Sequence, residues 1–396
     1  MLSAIKSKTV QECTTIDAQF YTRLTQELLE SAYQTHLNNI DFDRYGYPSP
    51  EPFLKRITDT LITKAIRLLA GKKRFIFLDE NSYKDRTRIE GLREYLSGFS
   101  FLYDQLKDEA SRNLLIKLIA LRILGPSRVK LPQNTPEYWA KRKFVQSLIK
   151  GSDFIQTKVM NWKLFYFELE PIGYPIRMFF LRVGVLNKFI LKHYEYGQSN
   201  PIIKANEGDI VIDGGGCWGD TALYFAHEVG SQGKVYSFEF VPANLEILEK
   251  NLNLNPLLKP RIEVIKNALL DKSEQSLYYF DNGPGSKVSP DKQSNEDFRV
   301  TTISIDDFVQ QNNLKKVDFI KMDIEGAELN ALNGAVDTLR KFRPKLAISL
   351  YHHLDDFTNI PQFIASLDLG YDFYLGHCTI HTEETVLFAI NRSGMT

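Results

Sequence analysis

The feature that most constrains this chain is a β-branched segment that ends in an acid and then breaks into glycines. Residues 209–212 lead into Asp213, and a helical pattern follows from Thr221 to about His227. Between them lie Gly214, Gly215, Gly216, Gly219 and the acid Asp220. A strand, a glycine loop and a helix in this order hold a nucleotide-like cofactor against bare backbone. We therefore predict an α/β fold with a cofactor site at this turn.

The spacing of the glycines leaves two cofactors open. Gly214, Gly216 and Gly219 match the GxGxxG pattern of dinucleotide sites, and Glu239 follows about twenty residues on, where a ribose-binding carboxylate belongs. In such a site the pyrophosphate of NAD lies over the glycines, held by backbone N–H groups and the helix dipole. S-Adenosylmethionine (SAM) has no phosphate and carries an ammonium and a sulfonium group instead.

The acid at Asp213 favours SAM. A carboxylate at the turn opposes a phosphate but attracts an ammonium group, and the glycines let the methionine portion lie close to the backbone. Glu239 then accepts hydrogen bonds from the two ribose hydroxyls. The structural alternatives are that Asp213 caps the next turn and that Glu239 is a solvated acid.

Composition and charge exclude several classes of function. The 396 residues include 49 basic and 49 acidic side chains, so the formal net charge is zero. The composition therefore gives no reason to expect a nucleic-acid or anionic-membrane partner. Cys13, Cys217 and Cys378 form no disulfide or zinc-ligand pattern, which favours a reducing, cytoplasmic setting. The N-terminus lacks the apolar core of a secretory signal. We predict no membrane span, because Lys or Arg interrupts the most apolar stretches, 114–124 and 176–191.

The apolar pattern changes along the chain from helical spacing to alternating strands and helices. Helical spacing predicts helices near 20–32, 53–69, 92–106, 110–124 and 134–149. A β-hairpin and a lead-in helix are predicted at 162–169, 176–181 and 185–196. The following strands are expected at 210–214, 234–240, 262–268, 317–324 and 345–350, with helices at 244–254 and 328–339.

This alternation predicts a mostly parallel sheet with helices on both faces. The last two strands, 371–377 and 385–391, are joined by few residues and must be antiparallel. A mostly parallel, seven-stranded, Rossmann-like sheet that ends in an antiparallel hairpin is the layout of class I methyltransferases. A mainly helical N-terminal region precedes it, and residues 275–280 and 298–305 add a local β excursion.

Five segments resemble the FkbM-type methyltransferases, over about residues 160–396. They are Asp213-Gly-Gly-Gly-Cys-Trp-Gly219, Ser237-Phe-Glu-Phe-Val-Pro-Ala-Asn244, Asn267-Ala-Leu-Leu-Asp271, Ser304-Ile-Asp-Asp307 and, most specific of all, Ile320-Lys-Met-Asp-Ile-Glu-Gly-Ala-Glu328. The resemblance implies SAM-dependent methyl transfer, usually to a hydroxyl of a sugar, glycan or polyketide-like product. Members of this family more commonly have the sequence Phe-Glu-Pro after the second strand, whereas here Phe240 and Val241 lie between Glu239 and Pro242.

By position, the resemblance implies how the cofactor is held. Asp213 and the glycines would hold the methionine end, Glu239 the ribose, and Asn267 with Ala268 the adenine. Asp323 would lie beside the transferred methyl group. The cofactor-binding candidates are therefore Asp213, Gly214, Gly215, Gly216, Gly219, Asp220, Glu239, Phe240, Asn267, Ala268 and Asp323.

A hydroxyl acceptor needs a base, because an alcohol is a poor nucleophile. Sheets of this kind bind ligands at the carboxyl ends of their strands, which makes Asp323, Glu325, His352 and His353 the catalytic candidates. Adjacent histidines on an extended segment point to opposite faces, so only one can face the acceptor, and we favour His352. As an alternative, Asp323, Glu325 and a histidine would form an oxygen-rich Mg²⁺ site, although we expect no metal.

We therefore predict a SAM-dependent O-methyltransferase that acts on a small-molecule or glycan hydroxyl. The alternatives are an NAD(H)-dependent oxidoreductase and a non-catalytic module that binds SAM or a partner. We divide the chain into a helical N-terminal domain of unknown role (1–152), a hairpin and helix lead-in (153–200) and the methyltransferase domain (201–396). The sequence leaves a homo-oligomer open.

Overall fold

The computed structural model is built around a central sheet that is flanked by helices and by two smaller sheets. It describes residues 15–32, 34, 88–126, 128–158, 160–197, 201–292 and 298–391. The strands are β1 Ile149–Gln156, β2 Lys163–Glu168, β3 Arg177–Phe180, β4 Ile210–Gly214, β5 Lys234–Phe238, β6 Ile262–Ile265, β7 Ala268–Leu269, β8 Ser276–Phe280, β9 Lys287–Ser289, β10 Arg299–Ile303, β11 Phe319–Met322, β12 Lys345–Ser349, β13 Tyr371–His377 and β14 Thr385–Asn391.

The helices surround the central sheet, and one short segment has π-helical geometry. The α-helices are α1 Thr15–Ala32, α2 Leu96–Gln105, α3 Glu109–Leu124, α4 Pro136–Phe144, α5 Arg182–Val185, α6 Asp220–Glu228, α7 Pro242–Asn253, α8 Ile305–Gln311, α9 Glu328–Asn333, α10 Val336–Phe342 and α11 Asp356–Ser366. The π-helical segment, Leu186–Ile190, follows α5 directly. Among the described residues, no helix combines the length and the apolar character needed to cross a bilayer.

The central sheet has seven strands in the order β13-β14-β12-β11-β4-β5-β6. All pairs between β12 and β6 are parallel, and β14 runs antiparallel to both of its neighbours. The inner strands are almost fully buried runs of apolar residues, as expected where helices cover both faces of a sheet. This topology confirms the predicted class I methyltransferase fold.

The direction of the strands determines where a ligand can bind. The parallel strands end at Gly214, Phe238, Met322 and Ser349, which places their carboxyl ends at one edge of the sheet. Strand β13 runs in the same direction, so the loop that joins it to β14 also lies at this edge. Ligands of such sheets bind outside the carboxyl ends of the strands.

The described N-terminal helices share a hydrophobic core with the central sheet. Phe20 of α1 and Leu102 of α2 lie in one buried cluster with Ile320 of β11 and Phe373 of β13. The hydroxyl of Ser111 in α3 accepts a hydrogen bond from the backbone N–H of Leu375, at 2.9 Å. These helices therefore pack directly onto the sheet, while the division of the chain at 152 and 200 stays a prediction.

Several predicted boundaries differ from the observed ones, and a glycine explains one of them. The predicted helix over 134–149 consists of α4 and a 3-10 turn at Val145–Leu148, and β1, β2 and β3 form a three-stranded sheet instead of a hairpin. The predicted helix over 328–339 is split into α9 and α10 around Gly334. A Cβ atom on Gly334 would lie 2.4 Å from the carbonyl oxygen of Leu270, so the chain passes too close here for any side chain.

The remaining differences concern the ends of elements. The lead-in helix covers 182–190 instead of 185–196, and the strand predicted over 262–268 divides into β6 and β7, which belong to different sheets. The β excursion is confirmed, because β8 pairs antiparallel with β10. The helix predicted near 53–69 lies outside the described residues.

Candidate active site

A cavity of about 1280 Å³ opens at the carboxyl edge of the central sheet. Its floor comes from the loops after β4, β5, β11 and β12. Its outer wall comes from α4, from β2 and β3, and from the segment after β3. The predicted site residues among its lining are Gly215, Asp220, Glu239, Phe240, Asn267, Ala268, Asp323 and Glu325.

The glycine loop brings the ends of three strands close together. Gly215 has φ +85°, and a Cβ atom there would lie 2.0 Å from the carbonyl oxygen of Asp323. A Cβ atom on Gly216 would lie 2.2 Å from the hydroxyl oxygen of Ser237. The backbone N–H groups of Gly215 and Gly216 both donate to the carbonyl of Phe238, at 3.1 and 2.8 Å. These positions require glycine so that the loop can lie flat against β5 and the end of β11.

Asp213 lies beneath this loop and has protein partners on every side. Its carboxylate accepts hydrogen bonds from the hydroxyls of Thr221, at 2.9 Å, and Ser237, at 2.7 Å. It also forms a fully buried ion pair with Lys321, at 3.1 Å. Asp213 does not line the cavity within the described chain, and neither do Gly214, Gly216 and Gly219. The ammonium ion next to Asp213 is therefore that of Lys321, where we expected that of the cofactor.

Lys321 was not predicted, although the sequence contains a signal for it. Lys321 interrupts the apolar strand β11 and lies opposite Asp213 in the register with β4. Its ammonium group also donates to the carbonyls of Gly214 and Gly215, at 2.8 and 2.7 Å. A lysine inside a buried strand needs an anionic partner, and here it ties the glycine loop to β11.

Asp220, at the start of α6, is a buried acid that lines the cavity. Burial raises the pKa of its carboxyl group to about 6, although the charges of Lys188 and Lys321 oppose the shift. A carboxylate held in this way is ready to pair with a cationic group that enters the cavity.

Glu239 follows β5 and lies at the opposite side of the glycine loop. Its Oε1 accepts hydrogen bonds from the backbone N–H groups of Phe240 and Val241, at 2.8 and 2.7 Å, and its Oε2 lies 3.3 Å from Nδ2 of Asn244. Burial raises the pKa of Glu239 to about 7, although these hydrogen bonds oppose the shift. The carboxylate therefore has a fixed orientation and titrates near neutrality.

The raised pKa of Glu239 predicts opposite pH dependences for folding and for cofactor binding. Because the folded protein holds this proton more tightly than the unfolded chain, the free energy of unfolding should fall as the pH rises from about 4.5 towards 7. The ribose hydroxyls of the cofactor would donate to the ionised carboxylate of Glu239. Affinity for S-adenosylhomocysteine should therefore be about tenfold weaker at pH 6 than at pH 8. Calorimetric titrations across this range measure the effect. In Glu239→Gln the affinity should no longer change near pH 7. If it still changes there, a group other than Glu239 causes the pH dependence.

The other predicted contacts to the adenosine lie beside Glu239. Ala268 is buried in β7, Asn267 is exposed and donates to the carbonyl of Thr301 at 3.1 Å, and both line the cavity. The ring of Phe240 contacts Tyr279 edge to face, with centroids 5.2 Å apart. The cavity thus has an apolar border on this side.

Asp323 follows β11 and is held by two tyrosines. Its Oδ2 accepts a hydrogen bond from the hydroxyl of Tyr194 at 2.9 Å, and its Oδ1 accepts one from Tyr351 at 2.8 Å. Burial would raise the pKa of this carboxyl group, but the positive charges of His352, Lys188 and Lys321 outweigh it and lower the pKa to about 2. Asp323 is therefore an oriented carboxylate that faces the cavity.

The two candidate histidines occupy different environments. His352 is buried, with Nδ1 3.0 Å from Oε1 of Glu328 and Nε2 3.4 Å from Oδ1 of Asp323. Burial lowers its pKa, but Glu325, Glu328 and Asp323 outweigh this and raise the pKa to about 11. The raised pKa favours a charged imidazole beside these carboxylates, and the role of His352 as the base stays a prediction. His353 is exposed, and its backbone N–H donates to Asp356 at 2.8 Å.

The same contacts bear on the alternative Mg²⁺ site. Glu325 lies 3.6 Å from Nε2 of His352, so the three proposed ligands are neighbours. Both oxygens of Asp323 accept tyrosine hydroxyls, and the raised pKa of His352 favours a charged imidazole over a metal ligand. The Mg²⁺ site stays an alternative.

A second group of charges, absent from the prediction, lies next to Asp323. The ammonium of Lys188, in the π-helical segment, donates to the hydroxyl of Tyr194 and to Oε2 of Glu384, both at 3.2 Å. Glu384 lies in the loop between β13 and β14, and its Oε2 is 3.0 Å from Nε2 of His193. Nδ1 of the same imidazole is 3.0 Å from the thiol of Cys378. The imidazole of His193 therefore lies between Glu384 and Cys378, which contact opposite ring nitrogens.

The strand order and the cavity at the carboxyl edge define the class of protein: a Rossmann-like domain with the topology of class I methyltransferases. Residues 203–373 match the family model described as the methyltransferase FkbM domain. The match confirms the resemblance seen in the sequence and the prediction of SAM as the cofactor. It supports methyl transfer and not the hydride transfer of the oxidoreductase alternative.

Solved structures resemble the chain at low sequence identity. The FkbM methyltransferase of Methylobacillus flagellatus KT is 18% identical, with 87% of this chain and 71% of that chain covered and a TM-score of 0.49. Fibrillarin of Aeropyrum pernix, solved with natively bound SAM, is 13% identical, with 61% and 100% covered and a TM-score of 0.34. A SAM-dependent O-methyltransferase of Thermotoga maritima is 15% identical, with 60% and 77% covered and a TM-score of 0.30. Because these scores are low, the fold assignment rests on the strand order.

No curated protein sequence matches the chain.

Proposed function

We propose that this protein transfers the methyl group of SAM to a hydroxyl of a sugar or similar polyol. The observation that carries the proposal is one continuous cavity that contains both Glu239, at the end of β5, and Asp323, at the end of β11. The carboxylate of Glu239 suits hydrogen bonds from a ribose, and the carboxylate of Asp323 suits an acceptor hydroxyl that is losing its proton. The free thiols of Cys217 and Cys378 are compatible with the cytoplasmic setting that we include in the proposal.

The charges that face the cavity fit a cationic cofactor. The lining acids are Asp220, at the start of α6, and Glu239, Asp323, Glu325 and Glu384, on loops at the carboxyl edge of the central sheet. A pyrophosphate would be repelled by this floor, whereas an ammonium and a sulfonium would be attracted. Asp220 and its neighbours would therefore attract a cationic cofactor, although Asp213 itself is neutralised by Lys321.

SAM supplies the activated methyl group, and the protein supplies orientation and a proton acceptor. Gly215 and Asp220 would hold the methionine end, and Glu239 would accept hydrogen bonds from the ribose. Asp323 would accept a hydrogen bond from the acceptor hydroxyl and take its proton as the forming bond to the methyl group makes that proton strongly acidic, so that even a carboxylate of low pKa can accept it. Tyr194 and Tyr351 keep its two oxygens oriented, and the charges of Lys188 and His352 stabilise it as a carboxylate.

Asp323→Asn should lower the rate of methyl transfer by about 100-fold or more, because general-base catalysis contributes at least that much. Affinity for S-adenosylhomocysteine should change about threefold at most, since the cofactor depends mainly on the loops after β4 and β5. The assay is formation of S-adenosylhomocysteine from SAM with a panel of neutral and charged monosaccharides. Asp337→Asn, an exposed change on α10, is the matched control and should leave the rate unchanged.

Two outcomes of this assay would contradict the proposal. If wild-type protein binds SAM but methylates none of the hydroxylated acceptors, a non-catalytic SAM-binding module would account for the cavity better. If Asp323→Asn keeps the wild-type rate, then methyl transfer does not use this carboxylate as its base.

A further inference from the structure

The cavity has two walls of opposite charge. The lining residues between 139 and 187 include Arg142, Lys143, Lys163 and Arg182 and no acid. The five lining acids all lie beyond residue 219, on the side of the glycine loop. The chain as a whole has no net charge, so this separation is local to the cavity. The cationic wall also lies outside residues 203–373, the part that matches the FkbM family model.

Two cations of this wall lie around the paired rings of Phe165, in β2, and Phe180, in β3. Lys163 is two residues before Phe165 on the same face of β2, and Arg182, at the start of α5, lies over the ring of Phe165. All four side chains line the cavity. The face therefore presents two cations next to two aromatic rings.

Neither of these cations is paired with an acid in the part of the chain that the structure describes. The guanidinium of Arg182 lies 5.4 Å from the ring centroid of Phe165 and donates to the side-chain oxygen of Gln146 at 2.9 Å. The ammonium of Lys163 lies 4.7 Å from the ring centroid of Phe154. Aromatic faces hold the positive groups in place without neutralising them, which leaves their charge available to a ligand.

Further aromatic rings continue the wall towards the glycine loop. Trp162 contacts Trp218 edge to face, with centroids 6.3 Å apart, and Phe180 contacts Trp218 at 6.1 Å. Trp162 and Trp139 are partly exposed and line the cavity. Flat aromatic faces beside polar groups suit the C–H face of a sugar ring. The volume of about 1280 Å³ exceeds that of most small-molecule pockets and leaves room for an acceptor beside the cofactor.

We propose that the methyl acceptor is a sugar that carries a phosphate or carboxylate group, and that Lys163 and Arg182 bind this anionic group. The proposal rests on the proposed methyl transfer and names its substrate class. The acidic floor attracts the cationic cofactor and repels the anionic group, which is attracted to the opposite wall. The charge separation thus orients the acceptor, with its anion towards β2 and β3 and its sugar ring towards Asp323.

The test compares three matched probes: glucose, glucose 6-phosphate and glucuronate. Calorimetry at constant ionic strength measures their binding to the full chain, with and without saturating S-adenosylhomocysteine. We expect at least one anionic probe to bind at least tenfold more tightly than glucose. The phosphate and carboxylate probes show which of the two anionic groups the wall prefers, and inorganic phosphate alone should bind more weakly than the preferred probe.

Charge-removing variants connect this selectivity to the wall. Lys163→Gln with Arg182→Gln should abolish the preference for the anionic probe and leave the affinity for S-adenosylhomocysteine unchanged. The matched control is Lys158→Gln with Arg177→Gln, because these exposed cations lie in or next to the same small sheet and pair with Glu246 and Glu168 instead of lining the cavity. The control should keep the preference.

Equal binding of glucose and the anionic probes, no binding of any probe, or an unchanged preference in the Lys163 and Arg182 variant would overturn the proposal. Failure of S-adenosylhomocysteine to bind would contradict the proposed methyl transfer instead. In that case the probe titrations without cofactor still decide whether the wall selects anionic sugars.

Discussion

Gly215→Ala is expected to weaken binding of S-adenosylhomocysteine by about 100-fold or more. Gly215 lines the cavity at φ +85°, and the added Cβ atom would lie 2.0 Å from the backbone carbonyl oxygen of Asp323. Backbone atoms cannot move aside as a flexible side chain can, so the glycine loop must shift away from the end of β11. Isothermal titration calorimetry measures the loss of affinity directly.

Gly208→Ala is the matched control for this change. Gly208 has a similar φ of +82°, but no atom lies within 4 Å of its added Cβ. It should lose about 1–2 kcal/mol of stability from the left-handed backbone alone and keep its affinity for S-adenosylhomocysteine. If the two variants bind the cofactor equally well, the close approach of Gly215 to Asp323 has no role in binding.

Lys321→Met should lower the free energy of unfolding by about 3–5 kcal/mol, because it leaves the carboxylate of Asp213 buried without its partner. The variant also removes the hydrogen bonds to the carbonyls of Gly214 and Gly215. Adding Asp213→Asn should restore a large part of the loss, since it removes the uncompensated charge. Urea unfolding of the single and double variants measures both effects.

Lys316→Met is the control for this prediction, because Lys316 precedes the same strand and its half-exposed side chain pairs with Asp318 at 2.9 Å. Surface pairs of this kind contribute about 0–1 kcal/mol. Equal losses from Lys316→Met and Lys321→Met would show that the buried pair has no special stabilising role.

The fold was largely predictable because each central strand is a short apolar run between turn residues. The predicted ranges 371–377 and 385–391 coincide with β13 and β14. The predictions over 234–240 and 317–324 extend past the observed strand ends at Phe238 and Met322. The extra apolar residues, Phe240 and Ile324, are half-buried and lie in loops that line the cavity.

Four of the five acids that line the cavity were named from the sequence, but Glu384 and the partners of these acids were not. Asp213 and Glu239 follow strands at recognisable spacings, whereas the partner of Asp213 depends on the register between β4 and β11. Tyr194 reaches Asp323 across 129 residues of sequence, and Lys188 reaches Glu384 across 196. Contacts at such separations follow from how the elements pack together, and no local spacing indicates them. For the same reason the raised pKa of His352 could not be predicted, since it depends on three acids that converge on one ring.

The most direct measurement for the central claim is a calorimetric titration of the full chain with S-adenosylhomocysteine and, separately, with NADH. The acidic floor of the cavity predicts that one S-adenosylhomocysteine binds per chain and that NADH does not bind. Binding of NADH without binding of S-adenosylhomocysteine would contradict the account.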